Sequence, residues 1–152
     1  MNIRPLTIEE LPLCYEFGRL FHAERHVTGT FREEVFLKNW TLFLQSPIAV
    51  LLGLWKDGEL VGGIGGICVA DLTSGDLAAN ELFWYVHPSA RGGSWPLRLV
   101  KRFREWGLSL GAVRLRMVHT LVEGDDPMAG KLPKFYERLG LRACDVAFDG
   151  PI

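Results

Sequence analysis

Two apolar runs joined by a tight turn restrict this chain more than any other feature. Ile48–Trp55 and Glu59–Val69 flank Asp57-Gly58, a dipeptide that favours a two-residue β-hairpin turn because both positions tolerate positive φ. The spacing predicts two antiparallel strands near the middle of the chain, and any fold must be built round them. The second run contains Gly62, Gly63, Gly65 and Gly66. Four glycines in one strand are costly to order. They predict a bulge, or a place where something large lies against the backbone, with room for a ligand as one use of that space.

The flanking segments change period. Asn2–Leu6 reads as a short strand. Thr7-x-x-Glu10 is a capping box, followed by Leu11, Cys14, Tyr15, Phe17, Leu20 and Phe21 at helical spacing, with Pro12 near the first turn. A second helix is expected over Arg32–Gln45, with Val35, Phe36, Trp40, Phe43 and Leu44 on its buried side. Ala79–His87 alternates as a strand, with Leu82, Trp84 and Val86 on one face and Glu81, Phe83 and Tyr85 on the other. A helix over Pro96–Leu110 ends at Gly111. Ala112–Leu121 reads as a strand, a short helix ends at Leu139-Gly140, and Leu141–Phe148 reads as the last strand. The order β-α-α-β-β-β-α-β-α-β predicts a mixed α/β sheet with one parallel crossover.

At 152 residues, with no linker or repeat, the chain is expected to form one domain over residues 1–152. Hydrophobic residues are 48% and charged residues 23%, which excludes a disordered or fibrous chain. The net charge of −1 gives no support to nucleic acid or an anionic membrane as partner. Cys14, Cys68 and Cys144 have no metal-ligand spacing and read as reduced thiols. The first residues lack an apolar run of signal-peptide type, and no run approaches the roughly 20 residues of a membrane span. A soluble, cytoplasmic protein without a metal is expected.

The chemistry concentrates in Val86-His87-Pro88-Ser89-Ala90-Arg91-Gly92-Gly93-Ser94-Trp95-Pro96, between a strand and a helix. A helix start offers unpaired N–H donors and the positive end of a dipole. Two glycines let the backbone approach a ligand, and Arg91 adds charge. Such a turn suits a phosphate or pyrophosphate. Arg98, Lys101, Arg102 and Arg104 follow on the helix and could hold another phosphate. No Gly-Lys-Ser/Thr follows, so it is no Walker loop, and the glycine spacing is not that of a Rossmann turn. A plain glycine-rich turn beside a solvated basic face accounts for the same residues.

This stretch resembles the acetyl-CoA motif of the GNAT superfamily of N-acetyltransferases, Arg/Gln-x-x-Gly-x-Gly/Ala after a Val-x-Pro strand end. Phe135-Tyr136-Glu137-Arg138-Leu139-Gly140-Leu141 resembles the family's Tyr-x-x-x-Gly-Phe segment, and the order of elements matches across nearly the whole chain. Ser94 and Pro96 depart from the motif, and Ala129 stands where many members carry Asn. The resemblance implies a mostly antiparallel mixed sheet with splayed central parallel strands and about four helices. It implies acetyl-CoA as co-substrate, bound at Val86, His87, Arg91, Gly92, Gly93, Ser94, Trp95 and Pro96. It also implies direct transfer of acetyl to an amine, with the acceptor unspecified and a homodimer left open. A backbone N–H at Val86 or His87 would hold the thioester carbonyl, and Tyr136 would protonate the departing thiolate.

From spacing alone, Tyr136 reads as an aromatic packing residue; it is the motif beside it that implies the acid role. Glu81 is the implied base; on a face with Phe83 and Tyr85 it would have a raised pKa, whereas near a strand start it would be an exposed carboxylate paired with an Arg. His22, His26, His87, His119, Glu123 and Asp125 are further candidates. For His22 and His26 a polar loop role, and for His119 a core role, explains the residue as well. A GNAT-shaped module that binds an acyl-CoA or a protein without turnover is the rival reading. A longer acyl group or a hydroxyl acceptor is another.

Overall fold

The structure is a computed structural model that describes residues 1–24, 29–119 and 130–145. His26, Glu123, Asp125 and Ala129 lie outside the described residues. Two compact units appear, Met1–Val118 and His119–Ile152. The first holds β1 (Asn2–Pro5), a 3-10 helix (Ile8–Cys14), α1 (Tyr15–Glu24), α2 (Glu33–Leu44), β2 (Ala49–Lys56), β3 (Glu59–Ala70), β4 (Leu77–Val86), a 3-10 turn (Pro88–Ala90), α3 (Trp95–Ser109) and β5 (Arg114–Arg116). The second holds α4 (Lys131–Arg138).

The strands form one mixed sheet in the order β1-β2-β3-β4-β5. The first four are antiparallel neighbours, and β5 joins β4 in parallel through α3. The predicted hairpin closes on Asp57 at φ 52° and Gly58 at φ 88°. Three expectations are corrected. The first helix begins as a 3-10 helix, because Pro12 has no N–H to give an α-type bond; the N–H of Tyr15 turns back to Pro12 O. The strand expected over Ala112–Leu121 pairs only at Arg114–Arg116, since the next N–H that would reach β4, that of Val118, goes to a side chain instead. No strand forms over residues 141–145. There the N–H of Leu141 returns to Tyr136 O at 3.0 Å, closing α4 round Gly140 at φ 78°; residues 146–148 of that expected strand lie outside the described residues.

Each face of the sheet is covered. On one, Leu11, Cys14 and Phe17 pack with Leu51, Phe83 and Tyr85. Phe83 meets Phe21 at 4.7 Å and Trp40 at 5.8 Å between ring centroids. No residue of α2 is fully buried, and Val35 is exposed, so α2 covers this core with half-buried aromatics rather than sinking into it. On the other face α3 buries Leu99, Val100 and Phe103. The glycines of β3 make both approaches possible. A Cβ on Gly65 would stand 2.9 Å from the Trp40 ring, and one on Gly66 would overlap Phe103 and the Asn80 carbonyl. The large groups expected against this strand are therefore the protein's own rings.

Glu10 ties the chain's start together. Its carboxylate accepts from Thr7 N–H at 3.0 Å, the carboxylate half of the capping box, and from both terminal nitrogens of Arg4 at 2.8 and 2.6 Å. Arg4 also lies over Trp55, 4.4 Å from the ring centroid. The Arg4 guanidinium, then Thr7 N–H, hold the Glu10 carboxyl at about 2. A carboxyl lowered on folding stabilises fully above its unfolded value near 4.3 and loses that contribution as pH falls toward 2. Glu10→Gln should therefore lower the thermal midpoint at pH 7 and match wild type near pH 2. The difference at pH 7 should be about 1 kcal/mol, because the pair is partly exposed and screened.

Candidate active site

Along β4 the register with β3 shifts between Gly65 and Gly66: Gly65 faces Phe83, and Gly66 faces Glu81. Leu82 is the extra residue of a bulge, and its side chain is 51% exposed. The bulge corrects the expected alternation. Successive residues of β3 face opposite ways, and cross-strand partners share a face. Phe83, beside Gly65, joins Trp40 on the α2 face; Glu81, beside Gly66, lies on the α3 face. Glu81 and Phe83 therefore point to opposite sides.

Glu81 is 5% exposed, so it is buried rather than the exposed carboxylate of the alternative reading. Its Oε2 accepts the N–H of Val118 at 2.9 Å. The β4–β5 ladder has just ended at Asn80 and Arg116. A side chain has taken the place of the next rung, and among the described residues no β4–β5 rung follows it. Glu81 marks this point, the apex of what is here called the fork, where β4 loses β5 as a partner.

Which backbone groups face the fork follows from one bond. His87 N–H donates to Val61 O of β3 at 2.9 Å. Adjacent strand residues turn their N–H and C=O to opposite sides. Val86 and Trp84 therefore present theirs to the fork, whereas His87 and Tyr85 face β3. Of the two residues expected to hold a thioester carbonyl, only Val86 is aimed there. Strand parity relative to β3 is invisible in the sequence without the pairing.

At the mouth of the fork the chain makes the expected loop. His87 caps the 3-10 turn with its ring, Nδ1 accepting from Ser89 N–H at 3.3 Å. Gly93 sits at φ 75°, a conformation that favours glycine, and Ser94 is the N-cap of α3. Among the described residues, the N–H groups of Gly92, Gly93, Ser94, Trp95 and Leu97 have no partner. A Cβ on Gly92 or Gly93 would meet nothing within 4 Å, so this backbone lies open. Pro96 falls at the second helical position, one later than expected. Its missing N–H costs the helix nothing there, but it removes one donor from the set. Arg98 stacks over Trp95 at 4.7 Å, and Arg102 pairs with Glu105 at 2.9 Å.

Arg91, expected to add charge at the mouth, is engaged by other groups. Its Nε donates to Val86 O at 2.7 Å, and its Nη2 to the two Glu24 oxygens at 2.7 and 3.0 Å. Its guanidinium lies 5.3 Å from the centre of the Tyr85 ring.

Tyr136 belongs to the second unit, where it is buried on α4 and its ring centroid lies 6.0 Å from that of Phe135. His119 opens the same unit. His22 Nε2 donates to Gly29 O at 3.1 Å, a local loop contact. Cys14 and Cys68 are buried, and burial above all pushes the Cys14 thiol up to about 12. Among the described residues, no cluster of three or more His, Cys, Asp or Glu could hold a metal, and no helix is long and apolar enough to cross a membrane.

The sequence matches no family model and no curated protein. Solved structures match over their full length. The ribosomal-protein-alanine N-acetyltransferase of Brucella melitensis biovar Abortus 2308 superposes at TM-score 0.74, with 18% identity and 100% of both chains covered. A transcriptional regulator from Bacillus halodurans C-125 gives 0.79 at 18% identity, over 99% of both chains. A predicted acetyltransferase with acetyl-CoA from Clostridium acetobutylicum gives 0.78 at 10%, over 99% of this chain and 95% of that one. At such identity the likeness is one of fold, and the fold is the GNAT fold.

Proposed function

We propose that this chain, built on the GNAT fold, transfers an acetyl group from acetyl-CoA directly to an amine. The observation that carries the reading is the buried carboxylate where the β4–β5 ladder ends, together with, among the described residues, five unpaired N–H groups at the helix start that follows β4. The N–H groups of Gly92–Trp95 and Leu97 are placed to hold a pyrophosphate, with α3 adding its dipole. The edge of β4 that faces the fork would run beside an extended pantetheine arm. The Clostridium structure, that of a predicted acetyltransferase with acetyl-CoA, lends support.

In the reaction the amine nitrogen bonds to the thioester carbon and the carbon–sulfur bond breaks. Glu81 takes the proton that the amine gives up. The Val86 N–H, which faces the fork, would steady the developing oxyanion. Tyr136 supplies the proton to the departing thiolate. The chain would act as a single cytoplasmic domain with its thiols reduced. The acceptor class, whether small molecule, peptide or protein, is left open, as is a homodimer.

Pro96, which removes a donor from the cradle, favours the rival reading of a non-catalytic acyl-CoA-binding module. Released thiol, measured with acetyl-CoA over a panel of amines and peptides, separates the two: binding without turnover supports the module. The site itself is tested by Gly93→Pro. Proline fixes φ near −65°, against 75° here, and removes an N–H. The loop is open, so the fold should survive. Calorimetry should show acetyl-CoA affinity reduced by at least tenfold; unchanged affinity in the folded variant excludes this loop.

A further inference from the structure

The contact that the proposed reaction leaves unused is the one between Arg91 and Glu24, 67 residues apart in sequence. Arg91 opens the loop whose following N–H groups stand unpaired. Its Nε is fastened to the Val86 carbonyl, which faces the fork, so the guanidinium sits at the fork's mouth. Glu24 lies on α1.

We infer that Glu24 is a latch on Arg91, a carboxylate that the pyrophosphate of acetyl-CoA must displace in order to bind. The inference rests on the acetyl-CoA reading. Both side chains are substantially exposed, at 41% for Arg91 and 49% for Glu24. An exposed pair of this kind is weak enough to exchange. A pyrophosphate carries more charge than one carboxylate and offers the same fork of oxygens to a guanidinium. Arg91 can keep its Nε bond to Val86 while Nη2 changes partner. The latch thus keeps the cation aimed at the mouth while the fork is empty and lowers the affinity of the filled state.

The test is a thermodynamic cycle read by calorimetry with acetyl-CoA. Glu24→Gln should bind about two- to five-fold more tightly than wild type, the range that an exposed ion pair commands. In the Arg91→Ala background the same change should leave affinity unaltered. Unchanged or weaker binding by Glu24→Gln overturns the latch and makes Glu24 a support that holds Arg91 ready. Tightening that persists without Arg91 also overturns it, since Glu24 would then act as a repelling charge and nothing more. If wild type binds no acetyl-CoA, the functional reading falls and takes the latch with it. If wild type binds and the cycle fails, only the latch falls.

Discussion

Glu81→Gln should leave the fork standing and slow acetyl transfer by about 100-fold or more, within the range of a lost general base. The amide oxygen of glutamine can still accept from Val118 N–H, so the apex keeps its bond while losing its basicity. A base works only when deprotonated, so the wild-type rate should fall toward low pH. In the variant that acidic limb should vanish, leaving a low, flat profile. The measurement is kcat against pH for both proteins, with circular dichroism to show that each is folded. A variant that keeps both the rate and the limb would give the proton to another group.

Gly66→Val should produce the largest loss of stability. Any side chain there collides with the Phe103 ring on α3 and with the Asn80 carbonyl of the neighbouring strand. Phe103 is fully buried and has nowhere to go. Overpacking of this severity costs about 3 kcal/mol, or roughly 6–12 °C in thermal midpoint for a chain of this size. Gly92→Ala, where nothing lies within 4 Å, should scarcely move the midpoint. Equal midpoints for Gly66→Val and wild type would mean that α3 does not press on β3 as described.

The sequence carried the elements whose signals are local. Asp57-Gly58 specified its turn because only a few residues tolerate two positive φ values in succession. The second helix was read as Arg32–Gln45, and those two residues cap the observed α2. Gly92-Gly93 before Trp95 marked an open helix start without reference to anything distant. What the sequence could not carry was set across strands. The alternation of Glu81 with Phe83 was sound for a regular strand, but one unpaired residue reversed it. Leu82 gives no sign of being that residue. Val118 attracts no notice either, yet its N–H meets the carboxylate and ends the ladder. The partner of Arg91 could not be read either, because Glu24 lies 67 residues away on another element.

The order of strands in the sheet follows the order in the chain. That coincidence distributes the entropy of loop closure unevenly. The joins from β2 to β3 and from β3 to β4 need only short turns, at residues 57–58 and 71–76. The β4–β5 ladder must instead be closed across residues 87–113, for three paired positions. Closure entropy rises with loop length, while the return rises with rungs formed. At the fork the loop is long and the rungs are few. The sheet thus invests least in cohesion at the seam where its strands part. A disturbance there would cost three rungs of one ladder and leave the pairing of the other four strands untouched.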